Sequence, residues 1–198
     1  MASNIPKDRT VAALGEAWAS LSDLLGELSD EQWALPSPLP GWSVQDNVSH
    51  IVGTEAMLAG EPGPSLEIDR DANQHVRNDI GAFNEQWVES LRTVPPAAVL
   101  VRFRELTGAR LATLNAMSED DWNAESFTPA GKDTFGRFMQ IRVFDCWVHE
   151  QDIRGPLGLP GHESGPAAEM ALDEIENSLP YIVGKRIKMQ GFIVSDFI

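Results

Sequence analysis

Val11-Ala-Ala-Leu-Gly-Glu-Ala-Trp-Ala-Ser-Leu-Ser-Asp-Leu-Leu-Gly-Glu-Leu28 places Val11, Leu14, Trp18, Leu21, Leu25 and Leu28 at alternating three- and four-residue steps. An α-helix turns about 100° per residue, so these side chains line up as one apolar stripe. The stretch predicts a helix of about six turns whose stripe must be buried against other helices, as in a bundle.

The same period continues along the chain. Pro36, Pro38, Pro40 and Gly41 force a loop, and Ser43 is placed to cap a second helix that ends near Gly60. Glu61-Pro-Gly-Pro64 breaks the chain again. A third helix is expected from about Asp69 to Thr93, and a fourth from Pro95-Pro96 to Met117, with prolines tolerated in its first turn. Phe127 to Asp133 reads as loop. A fifth helix is expected from about Thr134 to Ile153, and a sixth from Pro166 to Val183, after the Gly/Pro-rich segment Gly155–Gly165. Leu28-Ser-Asp-Glu-Gln-Trp33 and Met117-Ser-Glu-Asp-Asp-Trp122 repeat one pattern: an apolar helix end, a capping serine, acidic first-turn residues and a tryptophan. Each precedes a helix with a candidate ligand. The tryptophans also suit the plainer role of plugging the ends of the bundle.

Composition narrows the function classes. The 198 residues carry 30 acidic against 15 basic side chains, a net charge of −15. That charge argues against nucleic acid and anionic membranes as partners. Cys146 is the single cysteine, which rules out an internal disulfide framework. With no leader pattern at the N-terminus and no unbroken apolar run of membrane-spanning length, a cytoplasmic protein is expected.

The chemistry concentrates on the fifth helix, in Arg142-x-x-Asp145-x-x-x-His149-x-x-Asp152. Asp145 and His149 share one face about 6 Å apart along the axis, and Arg142 and Asp152 fall within about 60° of His149. Phe135, Phe138, Ile141 and Val148 flank this polar stripe, and charges set in an apolar surface need partners or a metal. His50, beside Asn47 and Thr54 on the second helix, is positioned to close a triad with Asp145 and His149. Two imidazoles and a carboxylate suit zinc or a similar first-row divalent metal and leave a position for water or substrate. The same spacing also suits a metal-free ion-pair ladder, Arg142 with Asp145 and His149 with Asp152. His75 and His162 are expected at the surface, and Cys146 in the core. No P-loop, dinucleotide fingerprint, HExxH or G-x-S-x-G occurs.

Leu39-Pro-Gly-Trp-Ser-Val-Gln-Asp-Asn-Val-Ser-His50, together with the Arg142 to Asp152 pattern, resembles the mycothiol-dependent maleylpyruvate isomerase family of actinobacteria, within the DinB-like superfamily. The resemblance spans roughly Arg9 to Arg186. It implies an all-α, DinB-like four-helix bundle that holds zinc through His50, Asp145 and His149, with Arg142 and Asp152 supporting the ligands. It further implies mycothiol as thiol cosubstrate and a small electrophile as substrate, the namesake reaction being thiolate addition, rotation and elimination. The chain departs from the family in two ways. Asp145 stands where glutamate is usual, one methylene shorter. After a bundle domain covering 1–185, the segment 186–198 reads as an atypical apolar tail, with the family's second, sterol-carrier-like domain absent. Such a tail is an exposed liability or a homodimer contact.

Three readings follow: a mycothiol-dependent isomerase or S-transferase, a non-catalytic bundle that binds metal or a small ligand, and a metal-free bundle.

Overall fold

The computed structural model describes residues 3–186. The expected tail therefore lies, from residue 187 onward, outside the described residues. Eight α-helices and one hairpin make up the described chain: α1 (Lys7–Gly26), α2 (Asp30–Trp33), α3 (Val44–Leu58), α4 (Asp79–Leu91), α5 (Pro96–Ala116), α6 (Glu119–Trp122), β1 (Glu125–Thr128), β2 (Gly131–Thr134), α7 (Phe135–Leu157) and α8 (Pro166–Tyr181), followed by a π-helical turn, Ile182–Arg186.

Four long helices form the bundle. The stripe on α1 is buried as its spacing requires, with Val11, Leu14, Trp18, Leu21 and Leu25 all inside. Both α1 and α3 pack on α5 and α7, which closes a four-helix square. Around this square, α4 packs on α3, and α8 covers the seam between α7 and α1. Phe103 of α5, Ile51 of α3, and Met139 and Ile153 of α7 fill the centre. This is the four-helix bundle that the sequence predicts, with further helices added around it. No described helix is long and apolar enough to cross a membrane.

The repeated serine–tryptophan pattern forms α2 and α6, two single-turn helices at the bundle ends. Ser29 and Ser118 cap them through the amides of Gln32 and Asp121. Trp33 and Trp122 are both buried, and Trp122 donates its indole N–H to the Ile5 carbonyl at 2.7 Å. Trp122 lies so close to α7 that a Cβ at Gly136 would come within 2.4 Å of it.

Three expected boundaries shift. The third helix starts at Asp79 rather than Asp69. The Asp69 carboxylate accepts the amides of Asp71 and Ala72, and Asn73 bonds back to the Asp69 carbonyl, so local side-chain bonds outcompete the helix there. The helix begins only where Asn78 caps it by accepting the Gly81 amide. The expected loop from Phe127 to Asp133 is instead an antiparallel hairpin, with Thr128 opposite Gly131 and Pro129-Ala130 as its turn. Gly131 has φ +112°, a conformation L side chains rarely adopt, and the Thr128 hydroxyl ties the turn by donating to the Gly131 carbonyl. Finally, α7 runs past Ile153 to Leu157 and ends at Gly158, whose φ of +63° suits a glycine stop.

Candidate metal centre

The loop into α3 is held from several sides. Ser43 and Asp46 form a reciprocal capping box at the helix start. The Trp42 indole donates to Glu85 on α4 at 2.9 Å, and Glu85, buried, also bonds His75 at 2.9 Å and Arg92 at 2.8 Å. Trp42 is thereby fixed over the site, with ring centroids 5.5 Å from His50 and 6.0 Å from His149.

Below Trp42, α3 and α7 bring the triad together. His50 Nε2 lies 3.1 Å from one oxygen of Asp145, and His149 Nε2 lies 3.6 Å from the other. One ligand atom from each of the three residues lies within 4.8 Å of the others. Bonds of about 2.0–2.1 Å in a tetrahedral site would separate ligand atoms by roughly 3.4 Å, so this donor set needs only small adjustments to hold zinc or a similar ion.

Asn47 decides the tautomer of His149. Its amide nitrogen donates to the Ser43 carbonyl at 2.8 Å, which leaves its oxygen to face His149 Nδ1 at 2.9 Å. Nδ1 must therefore carry a proton that it donates to Asn47. That leaves Nε2 as the ring nitrogen facing Asp145, available to share a cation with its carboxylate oxygen. At 3.6 Å the gap is too long for a hydrogen bond. Asp152 lies farther from Nδ1, at 3.5 Å. His50 has no such support: its Nδ1 is buried without a partner among the described residues.

Charged groups surround the triad. The Arg142 guanidinium bonds both Asp145 and Glu55, the latter at 2.9 Å, and Arg110 holds the other Glu55 oxygen at 3.0 Å. Glu55 is fully buried between the two arginines. Burial alone would raise the Asp145 pKa, but Arg142, His50 and His149 outweigh it and hold the carboxyl well below the usual range. Burial pushes His50 below the ordinary imidazole range, with Asp145 offsetting it in part. Burial also pushes the Cys146 thiol up to about 12, despite the nearby Arg142.

A cavity of about 600 Å³ opens directly beside the triad. His50, Arg142 and Asp145 form its floor, and its walls are largely apolar side chains from α3, α4, α7 and the hairpin.

Asp145 and His149, proposed from helical spacing, and His50, proposed as their partner from another helix, thus come together, with Arg142 and Asp152 beside them. Sequence reasoning missed Asn47, Glu55, Arg110, Trp42 and Glu85. For Arg110 a signal was present, since it interrupts the stripe Phe103, Leu106 and Leu114 at the position where a fourth apolar residue would fall. The expectation that His75 and His162 sit at the surface is corrected. Both have buried carboxylates for partners: His75 contacts Glu85, and His162, itself half-buried, contacts Glu150 on α7 at 2.6 Å.

Residues 14–154 match the family described as Mycothiol maleylpyruvate isomerase N-terminal domain. An uncharacterised protein of Mycobacterium tuberculosis, Rv0036c, is 24% identical over 152 residues, covering 75% of this chain. The chain spans about half the length of that relative, 56%. Among solved structures, a mycothiol-dependent maleylpyruvate isomerase superposes with a TM-score of 0.57 at 20% identity, over 75% of this chain and 61% of the other. The colibactin self-resistance protein ClbS, solved with double-stranded DNA, superposes with a TM-score of 0.56 at 15% identity, over 81% of this chain and all of its own. At these identities the superpositions establish a shared fold.

Proposed function

Because the chain belongs to the mycothiol maleylpyruvate isomerase N-terminal domain family, we propose that His50, Asp145 and His149 hold a divalent metal, zinc by the character of the donors, at which mycothiol reacts with a small electrophile. The observation that carries this reading is the convergence of His50 Nε2, His149 Nε2 and the Asp145 carboxylate, with His149 Nδ1 tied to Asn47 and Asn47 to Ser43 so that Nε2 is the ring nitrogen left facing the site. When bound, the metal supplies Lewis acidity that keeps a thiol ionised at neutral pH.

The chain's own residues do the rest. Arg142 keeps Asp145 ionised, so the site presents a charged oxygen ligand throughout the neutral range. Asn47 keeps the His149 proton on the ring nitrogen away from the site. Trp42 screens both histidines on one side, and the cavity gives the second reactant a place beside them. Cys146 is not the reacting thiol, because it is buried and its pKa is raised to about 12. The thiol must therefore come from a cosubstrate.

Zinc-loaded protein given mycothiol and an electrophile should form the thiol adduct or the isomerised product, and His149→Ala should lower the rate by at least about a hundredfold, the loss typical of removing a group essential to a site's chemistry. Equal rates in the two proteins would overturn the reading.

A metal-free ladder is the second reading, and one observation favours it: Arg142 already pairs with Asp145, and His149 lies 3.5 Å from Asp152. Unchanged thermal stability after chelation, and again after His50→Ala plus His149→Ala, would select it. Binding of double-stranded DNA, as in the ClbS complex, is disfavoured for this chain by its net charge of −15.

A further inference from the structure

The cavity wall carries information about the second reactant that the triad does not. Met57 of α3, Ile80 and Phe83 of α4, Phe127 of the hairpin, and Phe138 and Ile141 of α7 surround the space above the floor. Its volume of about 600 Å³ is in the range of small-molecule sites, and three of these six side chains are aromatic. Three of the six stand open at the rim: Met57 is 37%, Ile80 51% and Phe127 70% exposed. Covering such side chains with another apolar body is favourable in proportion to the area removed from water.

Charge points the same way. Arg142 is the one cationic side chain among the described residues that line the cavity. Its guanidinium is already committed to Glu55, Asp145 and the Cys146 sulfur. The charged residue at the mouth is Asp79, an acid, and its partner is Arg70 at 2.6 Å. A carboxylate or sulfonate entering along these walls would lose its water and find no free donor of positive charge.

We infer that the electrophile is an uncharged, predominantly apolar molecule with an aromatic or branched hydrocarbon body, and not a small carboxylic acid. This rests on the thiol-dependent reading of the triad and adds the substrate class. Thr54 and Asn84, the uncharged polar residues of the wall, can serve a carbonyl or hydroxyl on such a molecule without requiring a charge.

Two fluorescent probes with the same ring system isolate the effect of charge: N-phenyl-1-naphthylamine, which is neutral, and 1-anilinonaphthalene-8-sulfonate, which is anionic. Each is titrated into the full chain with metal chelated, so the result does not depend on the triad holding an ion. The neutral probe should bind at least about tenfold more tightly than the sulfonate. Ile80→Arg, at a half-open helical position, supplies the missing cation, and it should narrow the ratio by at least about threefold while weakening the neutral probe. A sulfonate that binds as tightly as the amine overturns the inference. A ratio that Ile80→Arg leaves unmoved also overturns it, since the probes would then be binding elsewhere. Metal content measured on the same preparations keeps the two claims apart: failure to take up metal with probe discrimination intact counts against the proposed function alone.

Discussion

Glu55 shows how residues remote from the triad can govern it. Its two oxygens are shared between Arg110 and Arg142, and all three groups are buried. Removing the carboxylate charge leaves one guanidinium without an ionic partner and the other with Asp145 alone, so Glu55→Gln should destabilise the fold by about 3–5 kcal/mol in urea denaturation. His50 sets a pH dependence. Its folded-state pKa lies below the unfolded value of about 6.5. Between those two values the unfolded chain binds more protons, so stability rises with pH and is lost as pH falls. Denaturation of the chelated protein should thus show lower stability at pH 5 than at pH 7.5, with a flatter profile in His50→Gln. The lowered Asp145 pKa has the same sign but acts below about pH 4, outside that window. Legibility at this scale follows from chain locality. Asp145, His149 and Arg142 could be found because helical spacing alone puts them on one face. Glu55 could not, since its partners come from two other helices, 55 and 87 residues away in sequence.

Among the elements, α3 carries the most: it presents His50 and Asn47 to the site and packs against α4, α5 and α7. Its contact with α4 depends on Gly53, where an added Cβ would sit 2.4–2.5 Å from Trp87. Gly53→Ala must force the two helices apart, and it should cost about 1–3 kcal/mol as overpacking, read as a lower urea midpoint. The same helix pair anchors Trp42 through Glu85, so the substitution should also weaken metal binding, which Gly136→Ala at the far Trp122 contact should not do. The long helices were legible because each repeats apolar residues at helical spacing and has capping residues or prolines at its start. The hairpin was not: its strands, Glu125–Thr128 and Gly131–Thr134, are too short and too polar to show an alternating pattern, and they are held by packing at the start of α7. The false start of the third helix has a similar cause, since Asp69 and Asn73 look like a helix cap but make a closed local turn.

On the scale of the whole molecule, a bundle of strongly negative net charge places two buried arginines next to its candidate ligands. With Arg110 and Arg142 set against Glu55, Asp145 and Asp152, the protein groups of the site carry about one net negative charge, and a bound divalent cation would leave about one net positive charge. That suits one anionic thiolate at the floor, with an apolar partner along the wall. Since the chain covers 56% of its mycobacterial relative, the bundle must be tested for what it can do as it stands. The proposed chemistry depends on the triad holding a metal, and elemental analysis tests this most directly. After growth with zinc and extensive dialysis, the wild-type chain should retain about one equivalent of metal, the occupancy of a single three-ligand site. His50→Ala, folded by circular dichroism, should retain several-fold less; equal metal in the two proteins would contradict a metal site at the triad.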